Sequence, residues 1–218
     1  MQDRGNKLYS FFSQYRTLDY KKGQIILRSD DNPSGIYYVR RGYVRLYSIS
    51  ESGQELTLII VKPHDIFPIR WAITGQRHRY YFEAMTPVEL SKAPLEDFSD
   101  FIHMNPEALY EILNNVLSRL GGLLERMEYS VFGNAYQKVA SILVICAERF
   151  GIQKGKSITI RVPMTHSDIA NLIGLTRETA SVELKKLEKI GVCEKDGRFF
   201  MVKNLDKLKT EANWSKFA

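Results

Sequence analysis

The chain has 218 residues, enough for one or two domains that each bury a core. Its 31 Lys and Arg against 25 Asp and Glu leave a formal net charge of +6, and no run of about 18 apolar residues marks a membrane span. Two cysteines, Cys146 and Cys193, are too few for a disulfide framework and cannot alone ligate an iron–sulfur cluster.

The first seven residues lack the apolar core of a signal peptide, so a cytoplasmic protein is expected. From about Leu18 to Pro94, short β-rich runs alternate with turn signals. Residues 24–27 follow Lys21-Lys-Gly23, and residues 35–39 follow Asp30-Asp-Asn-Pro-Ser34. Arg41-Gly42 opens residues 43–47, and Glu51-Ser-Gly53 separates them from residues 55–61. Pro63-His-Asp65 is a further turn, with residues 80–84 and 88–91 as later strands. Strands at this spacing predict a sandwich or barrel. Such a roll can enclose a small ligand or be filled by its own side chains.

Pro106 is placed to start a long helix. Leu113, Leu117, Leu120, Leu124, Met127 and Val131 recur at alternating intervals of four and three. That is a heptad seam, with d at Leu113, Leu120 and Met127 and a at Leu117, Leu124 and Val131. It predicts a helix packed on its own roll or one paired with a second copy. Gly121-Gly122 costs this helix about 2 kcal/mol against alanine. The pair either permits a close backbone approach or leaves room for a ligand.

Cys146, in Ser141-Ile-Leu-Val-Ile-Cys-Ala-Glu148, reads as a core residue. Ser157-Ile-Thr-Ile-Arg-Val162 alternates like a strand and stops at Pro163. A helix-turn-helix is expected next. Thr165 can cap a helix whose third position is Asp168, and Ile169, Ala170, Leu172 and Ile173 supply its buried face. Gly174 suits the turn, where positive φ is needed. Thr176 can cap a second helix with an apolar stripe of Leu184, Leu187 and Ile190, joined by Leu175. Arg177, Glu178 and Ser181 fall on the opposite side of its first turn and a half. Such a helix enters the major groove with its N-terminal residues at base edges, where Arg reads guanine and Glu accepts from cytosine. The plainer alternative is a helical hairpin with a solvated Arg–Glu face.

Two short apolar runs then flank Asp196-Gly197, a hairpin signal for a type I′ turn with positive φ at both central residues. Helix, turn, helix and hairpin make a winged helix, with Lys195, Arg198 and Lys203 near phosphates. Charge location agrees. Residues 133–218 hold 15 Lys and Arg against 9 Asp and Glu, whereas residues 1–132 are balanced at 16 of each. A basic segment beside a neutral one fits double-stranded DNA as partner, because phosphate neutralisation dominates non-specific affinity. Helix-turn-helix readers pair to meet two half-sites, which favours a homodimer for the heptad seam. No catalytic triad, metal-ligand spacing or phosphate-binding glycine loop is present, so neither an enzyme nor a metal site is expected.

Several motifs together carry a family resemblance: Lys22-Gly23, Ile36-Tyr-Tyr-Val-Arg-Arg-Gly42, Gly53, Pro63-His-Asp-Ile-Phe67 and Thr176-Arg-Glu-Thr179. Over roughly residues 15–205 the chain resembles the CRP/FNR family, the cyclic-AMP receptor and fumarate–nitrate regulators of bacteria. The resemblance implies an α+β protein: an N-terminal β-roll of the cyclic-nucleotide-binding jelly-roll type, a long dimerisation helix and a C-terminal winged helix-turn-helix. The expected division is residues 1–104 as sensor, 105–132 as dimerisation helix and 133–218 as DNA-binding domain. It also implies a homodimeric transcription regulator that works with RNA polymerase and answers a small-molecule effector.

The departures from the family bear on the effector. Cyclic-AMP binders carry a Gly-Glu pair for the ribose and an Arg-Ser pair for the cyclic phosphate. Here Ile69-Arg70 and His78-Arg79 stand at those positions, the segment is two residues shorter, and Leu123-Leu124 replaces purine-binding hydroxyls. Cyclic AMP is therefore not the expected effector. Arg70, Trp71, Arg77, His78, Arg79, Tyr80 and Tyr81, with Leu123, Leu124 and Met127, are candidates for binding an anionic or aromatic small molecule. The alternative is a solvated loop on a constitutive DNA-binding regulator whose roll is structural or binds a protein. The oxygen sensor's N-terminal cysteines are absent, so no iron–sulfur cluster is expected. Haem, for which His64 and His78 are the candidate ligands, is not expected either. In the reading head, Arg177 and Glu178 match the family's positions and Ser181 matches the oxygen-sensor branch. Val182 stands where Arg is common; it can touch a thymine methyl but donates no hydrogen bond. Thr165, His166, Thr176, Thr179, Lys195 and Arg198 are the expected DNA-backbone contacts.

Overall fold

The computed structural model describes residues 7–77 and 79–213. Helix α1 (Lys7–Ser13) precedes β1 (Thr17–Tyr20), β2 (Ile25–Leu27), β3 (Ile36–Arg41), β4 (Val44–Ile49), β5 (Glu55–Val61) and β6 (Ile66–Phe67). A short α2 (Ile69–Thr74) leads to β7 (Tyr81–Ala84) and β8 (Val88–Ala93), then α3 (Leu95–Met104) and α4 (Pro106–Phe132). After α5 (Ala135–Phe150) come β9 (Gly151–Lys154), β10 (Ser157–Ile160), α6 (His166–Ile173), α7 (Arg177–Lys189), β11 (Cys193–Asp196), β12 (Phe199–Val202) and α8 (Leu205–Ala212). The chain divides into two compact units: the described residues up to Ser48 with Leu58–Arg119, and Ile49–Thr57 with Leu120 onward.

The roll is two four-stranded sheets, ordered β1-β8-β3-β6 and β2-β7-β4-β5. Its interior is filled by its own side chains. Leu27, Tyr37, Val39, Val44, Phe67, Phe82 and Leu90 form one buried cluster. Tyr37 stacks on Phe67 with ring centroids 5.3 Å apart, and Phe67 on Phe82 at 4.9 Å. The other face of β3 is covered too: Ile36 and Tyr38 pack with Leu8 and Phe12 of α1, Phe98 and Ile102 of α3, and Ala108 and Ile112 of α4. A strand buried on both faces reads as a continuous apolar run, which explains Ile36-Tyr-Tyr-Val39. Gly42 follows β3 at φ +88°, and a Cβ there would collide with the Pro87 carbonyl. No side chain fits this motif glycine.

Helix α4 runs unbroken for 27 residues through Gly121-Gly122. A Cβ at Gly121 would meet nothing within 4 Å, and one at Gly122 only Ile145 Cγ2 at 3.9 Å. No close approach within the protomer therefore requires these glycines. The helix buries Ala108 and Ile112 in the first unit and Tyr129 in the second. The heptad seam lies open: Leu113, Leu117, Leu120, Leu124, Met127 and Val131 are 48–69 % exposed.

In the second unit, α5 starts at an Asn134–Gln137 capping box and buries ten residues, Cys146 among them. The wing sheet is ordered β11-β12-β10-β9. The cap predicted for α6 forms in full: Thr165 accepts from the Asp168 N–H, and Asp168 accepts from the Thr165 N–H. Gly174 ends α6 at φ 65°. Thr176 caps α7, which buries Ala180, Leu184 and Leu187. Two expectations need correction. Ile190 is the C-cap of α7 and stays 40 % exposed, because the helix stripe ends at Leu187. The wing turn is also set one residue later than Asp196-Gly197. Asp196 still pairs with Phe199, so Gly197 and Arg198 are the two loop residues, and of these Gly197 alone has positive φ, 58°. Glycine first is the type II′ arrangement, not type I′.

Candidate nucleic-acid interface and sensor region

The candidate interface centres on the first turn of α7. Arg177 and Glu178 are exposed there, and Val182 is 52 % exposed one turn on. The local sequence dictates this display. The Thr176 hydroxyl accepts from the Thr179 N–H, fixing the helix start, while Ala180, Leu184 and Leu187 anchor the opposite face. Unpaired N–H groups at this end carry partial positive charge, which favours an approaching phosphate.

Ser181 is half-buried, and its Oγ lies 2.8 Å from His166 Nδ1, on the first residue of α6. Two predicted contacts, one for a base and one for the backbone, are thus joined across the motif. The His166 ring lies by Phe200 of β12, centroids 6.2 Å apart, and the Lys195 Nζ sits 5.3 Å from the same Phe200 ring. Burial foremost, and then Lys195, hold the His166 pKa below the ordinary 6.5; Arg177 and Lys185 act the same way and Glu188 opposes them. Arg198 reaches over Phe199 at the wing tip. The Thr165 and Thr179 side chains take part in cap hydrogen bonds, so their reach to phosphate is limited to spare capacity. Exposed Lys185, Lys186 and Lys189 on the rest of α7 were not among the expected contacts; Lys185 and Lys189 stand i, i+4, and Lys186 pairs with Glu183 at 2.8 Å.

In the roll, Arg70 is exposed on α2 and donates to the Gln76 side-chain oxygen. Trp71 is half-buried and packs with Ile69 and Ala72 on the α1–α3 cluster. Arg77 and Arg79 are exposed, and His78 lies outside the described residues. Tyr81 stacks on Tyr47 at 5.3 Å, below the Arg45 guanidinium, which is 4.1 Å from the Tyr47 ring and paired with Glu83 at 2.8 Å. His64 bonds the Tyr38 hydroxyl at 2.8 Å, and Asp65 next to it is buried against Arg119 at 2.8 Å. A cavity of about 10 Å³ lies among Leu8, His64, Ile66, Ile112, Asn115 and Arg119, room for about one water. On α4, Leu123 is half-buried, whereas Leu124 and Met127 are exposed. Among the described residues, no group of three or more His, Cys, Asp or Glu is arranged to hold a metal ion, and no helix is long and apolar enough to cross a membrane.

Two family models match the chain: a cyclic nucleotide-binding domain over residues 17–105 and a Crp-like helix-turn-helix domain over residues 137–211. An anaerobic regulatory protein of Haemophilus influenzae is 27 % identical over 188 residues, spanning 86 % of this chain and 73 % of that protein. A global nitrogen regulator of Synechococcus elongatus is 29 % identical over 164 residues, 74 % of each chain. The structure of a CooA mutant from Carboxydothermus hydrogenoformans superposes with a TM-score of 0.75 at 25 % identity, covering 93 % of this chain and 90 % of that one.

Proposed function

The chain belongs to the CRP/FNR family of transcription regulators, and from that premise we propose that it is a cytoplasmic homodimer whose two α7 helices read a two-fold-symmetric DNA site. Arg177, Glu178, Ser181 and Val182 are the base readers, and Thr165, His166, Thr176, Thr179, Lys195 and Arg198 hold the phosphates. The observation that carries this is the first turn of α7: capped at Thr176, anchored by a buried stripe, and displaying Arg177 and Glu178 to solvent. The heptad seam pairs the protomers, and RNA polymerase is the protein partner. The functional division is sensor up to residue 104, dimerisation helix over 105–132 and DNA-binding part from 133.

A small-molecule effector other than cyclic AMP acts through the Arg70–Tyr81 segment and Leu123, Leu124 and Met127. A second reading, a constitutive regulator, is favoured by the stacked Tyr37, Phe67 and Phe82 that fill the roll. A thermal-shift screen of nucleotides and aromatic acids separates the two, since a ligand stabilises the state it binds. A shift removed by Arg79→Ala supports the effector; none across the screen supports the constitutive form.

DNA reading is tested by selecting sites from random duplexes. Arg177→Ala is expected to cost about 1–3 kcal/mol and to relax one base preference per half-site. An unchanged preference removes Arg177 from the readers.

A further inference from the structure

His166 Nδ1 and Ser181 Oγ, 2.8 Å apart, join the first residue of α6 to the reading face of α7. A serine hydroxyl has one proton and two lone pairs, while an imidazole nitrogen either accepts or donates. When Nδ1 is bare it accepts a hydrogen bond from the serine O–H, and Ser181 shows a base only lone pairs. When Nδ1 carries a proton it donates to Oγ, and the serine O–H is free to donate. These states match opposite base edges. Lone pairs suit the amino groups of adenine and cytosine, whereas a free O–H suits guanine O6 and N7, thymine O4 or adenine N7, so cytosine is the base that separates the two states most sharply.

We propose that the neutral His166 ring is the Nε2–H tautomer, that His166 is a positioning residue for base choice, and that its protonation at Nδ1 frees the Ser181 O–H to donate and so changes the preferred base at one position of each half-site. This rests on α7 being the DNA-reading helix. The groups facing the imidazole are Lys195 from β11 and Glu188, Arg177 and Lys185 from α7, with the Phe200 ring from β12 beside it. On its own element it stands at the positive end of α6, next to the Thr165–Asp168 cap. Burial first and then Lys195 lower its pKa, with Arg177 and Lys185 adding to this and Glu188 opposing, so acid favours the charged ring that donates from Nδ1. A DNA phosphate close by favours the charged form and moves the switch upward in pH.

The test uses the full chain. Sites are selected from random duplexes at about pH 8 and about pH 5, with the unaltered protein, His166→Arg and Ser181→Ala. Nitrogen NMR of His166 follows its tautomer and titration in parallel. At the position facing Ser181, cytosine should give way to guanine or thymine as pH falls, by roughly three- to tenfold, the worth of one hydrogen bond. His166→Arg only donates and should show the low-pH preference at both values; Ser181→Ala should show no change with pH. An unchanged preference while His166 titrates overturns the inference, as does an imidazole that holds one protonation state throughout. Absence of any selected site at both pH values instead overturns the DNA-reading function on which the inference rests.

Discussion

Both thiols are buried, and both are pushed up to about 12. At Cys146 burial raises the pKa against the opposing charges of Arg149 and Arg126; at Cys193 burial leads, Glu188 and Glu194 add to it, and Lys203 opposes. The thiolate is the reactive form. At about pH 8 the native protein should therefore release almost none of a disulfide reagent's chromophore on the timescale in which denatured protein releases two equivalents. Rapid labelling of native Cys146 would contradict its burial. That Cys146 is a core residue was legible in its apolar neighbours. So was the Thr165–Asp168 cap, because a spacing of three is fixed by helix geometry alone. The His166–Ser181 bond was not legible: the residues lie 15 apart, and only the packing of α6 on α7 brings them together.

Arg119 and Asp65 form an ion pair at 2.8 Å with side chains 11 % and 4 % exposed. The Lys62 N–H also donates to Asp65, so the carboxylate is held from two sides. Removing one partner leaves a buried charge uncompensated. Arg119→Ala should cost about 3–5 kcal/mol, read by chemical denaturation, and adding Asp65→Asn should recover part of the loss. A single-mutant cost under about 1 kcal/mol would class the pair with exposed bridges. At this scale, legibility follows continuity of pattern. The open seam of α4 was legible from its unbroken apolar heptads. The buried stripe was not, because Asn115, Arg119 and Arg126 interrupt it with polar residues, and Arg119 finds its partner Asp65 far away in sequence. Likewise β6 has two residues, and its pairing of Tyr37 with Phe67 is a tertiary fact. The wing turn slipped by one because strand pairing to Phe199, not the Asp-Gly dipeptide, set the loop.

The chain as a whole presents an apolar stripe along α4 and a basic helix-turn-helix segment at one end of its sequence. Six seam residues at 48–69 % exposure are a large unpartnered surface for a single chain. In the proposed homodimer a second copy would cover it by symmetry. Across a two-fold axis a central d residue meets or nearly meets its own copy, so one substitution acts twice. Leu120→Asp would bring two carboxylates together in a desolvated seam and remove two buried leucines, each worth about 1.5–3 kcal/mol. The variant should sediment as a monomer at concentrations where the unaltered protein is a dimer. Its thermal unfolding should show that the protomer still folds, because Leu120 is 48 % exposed there and carries little of the core. DNA affinity should fall toward that of a single half-site, with a shallower salt dependence as fewer phosphates are neutralised. A Leu120→Asp protein that still sediments as a dimer would remove the seam from the interface, and the two reading helices would then need another surface to hold their spacing.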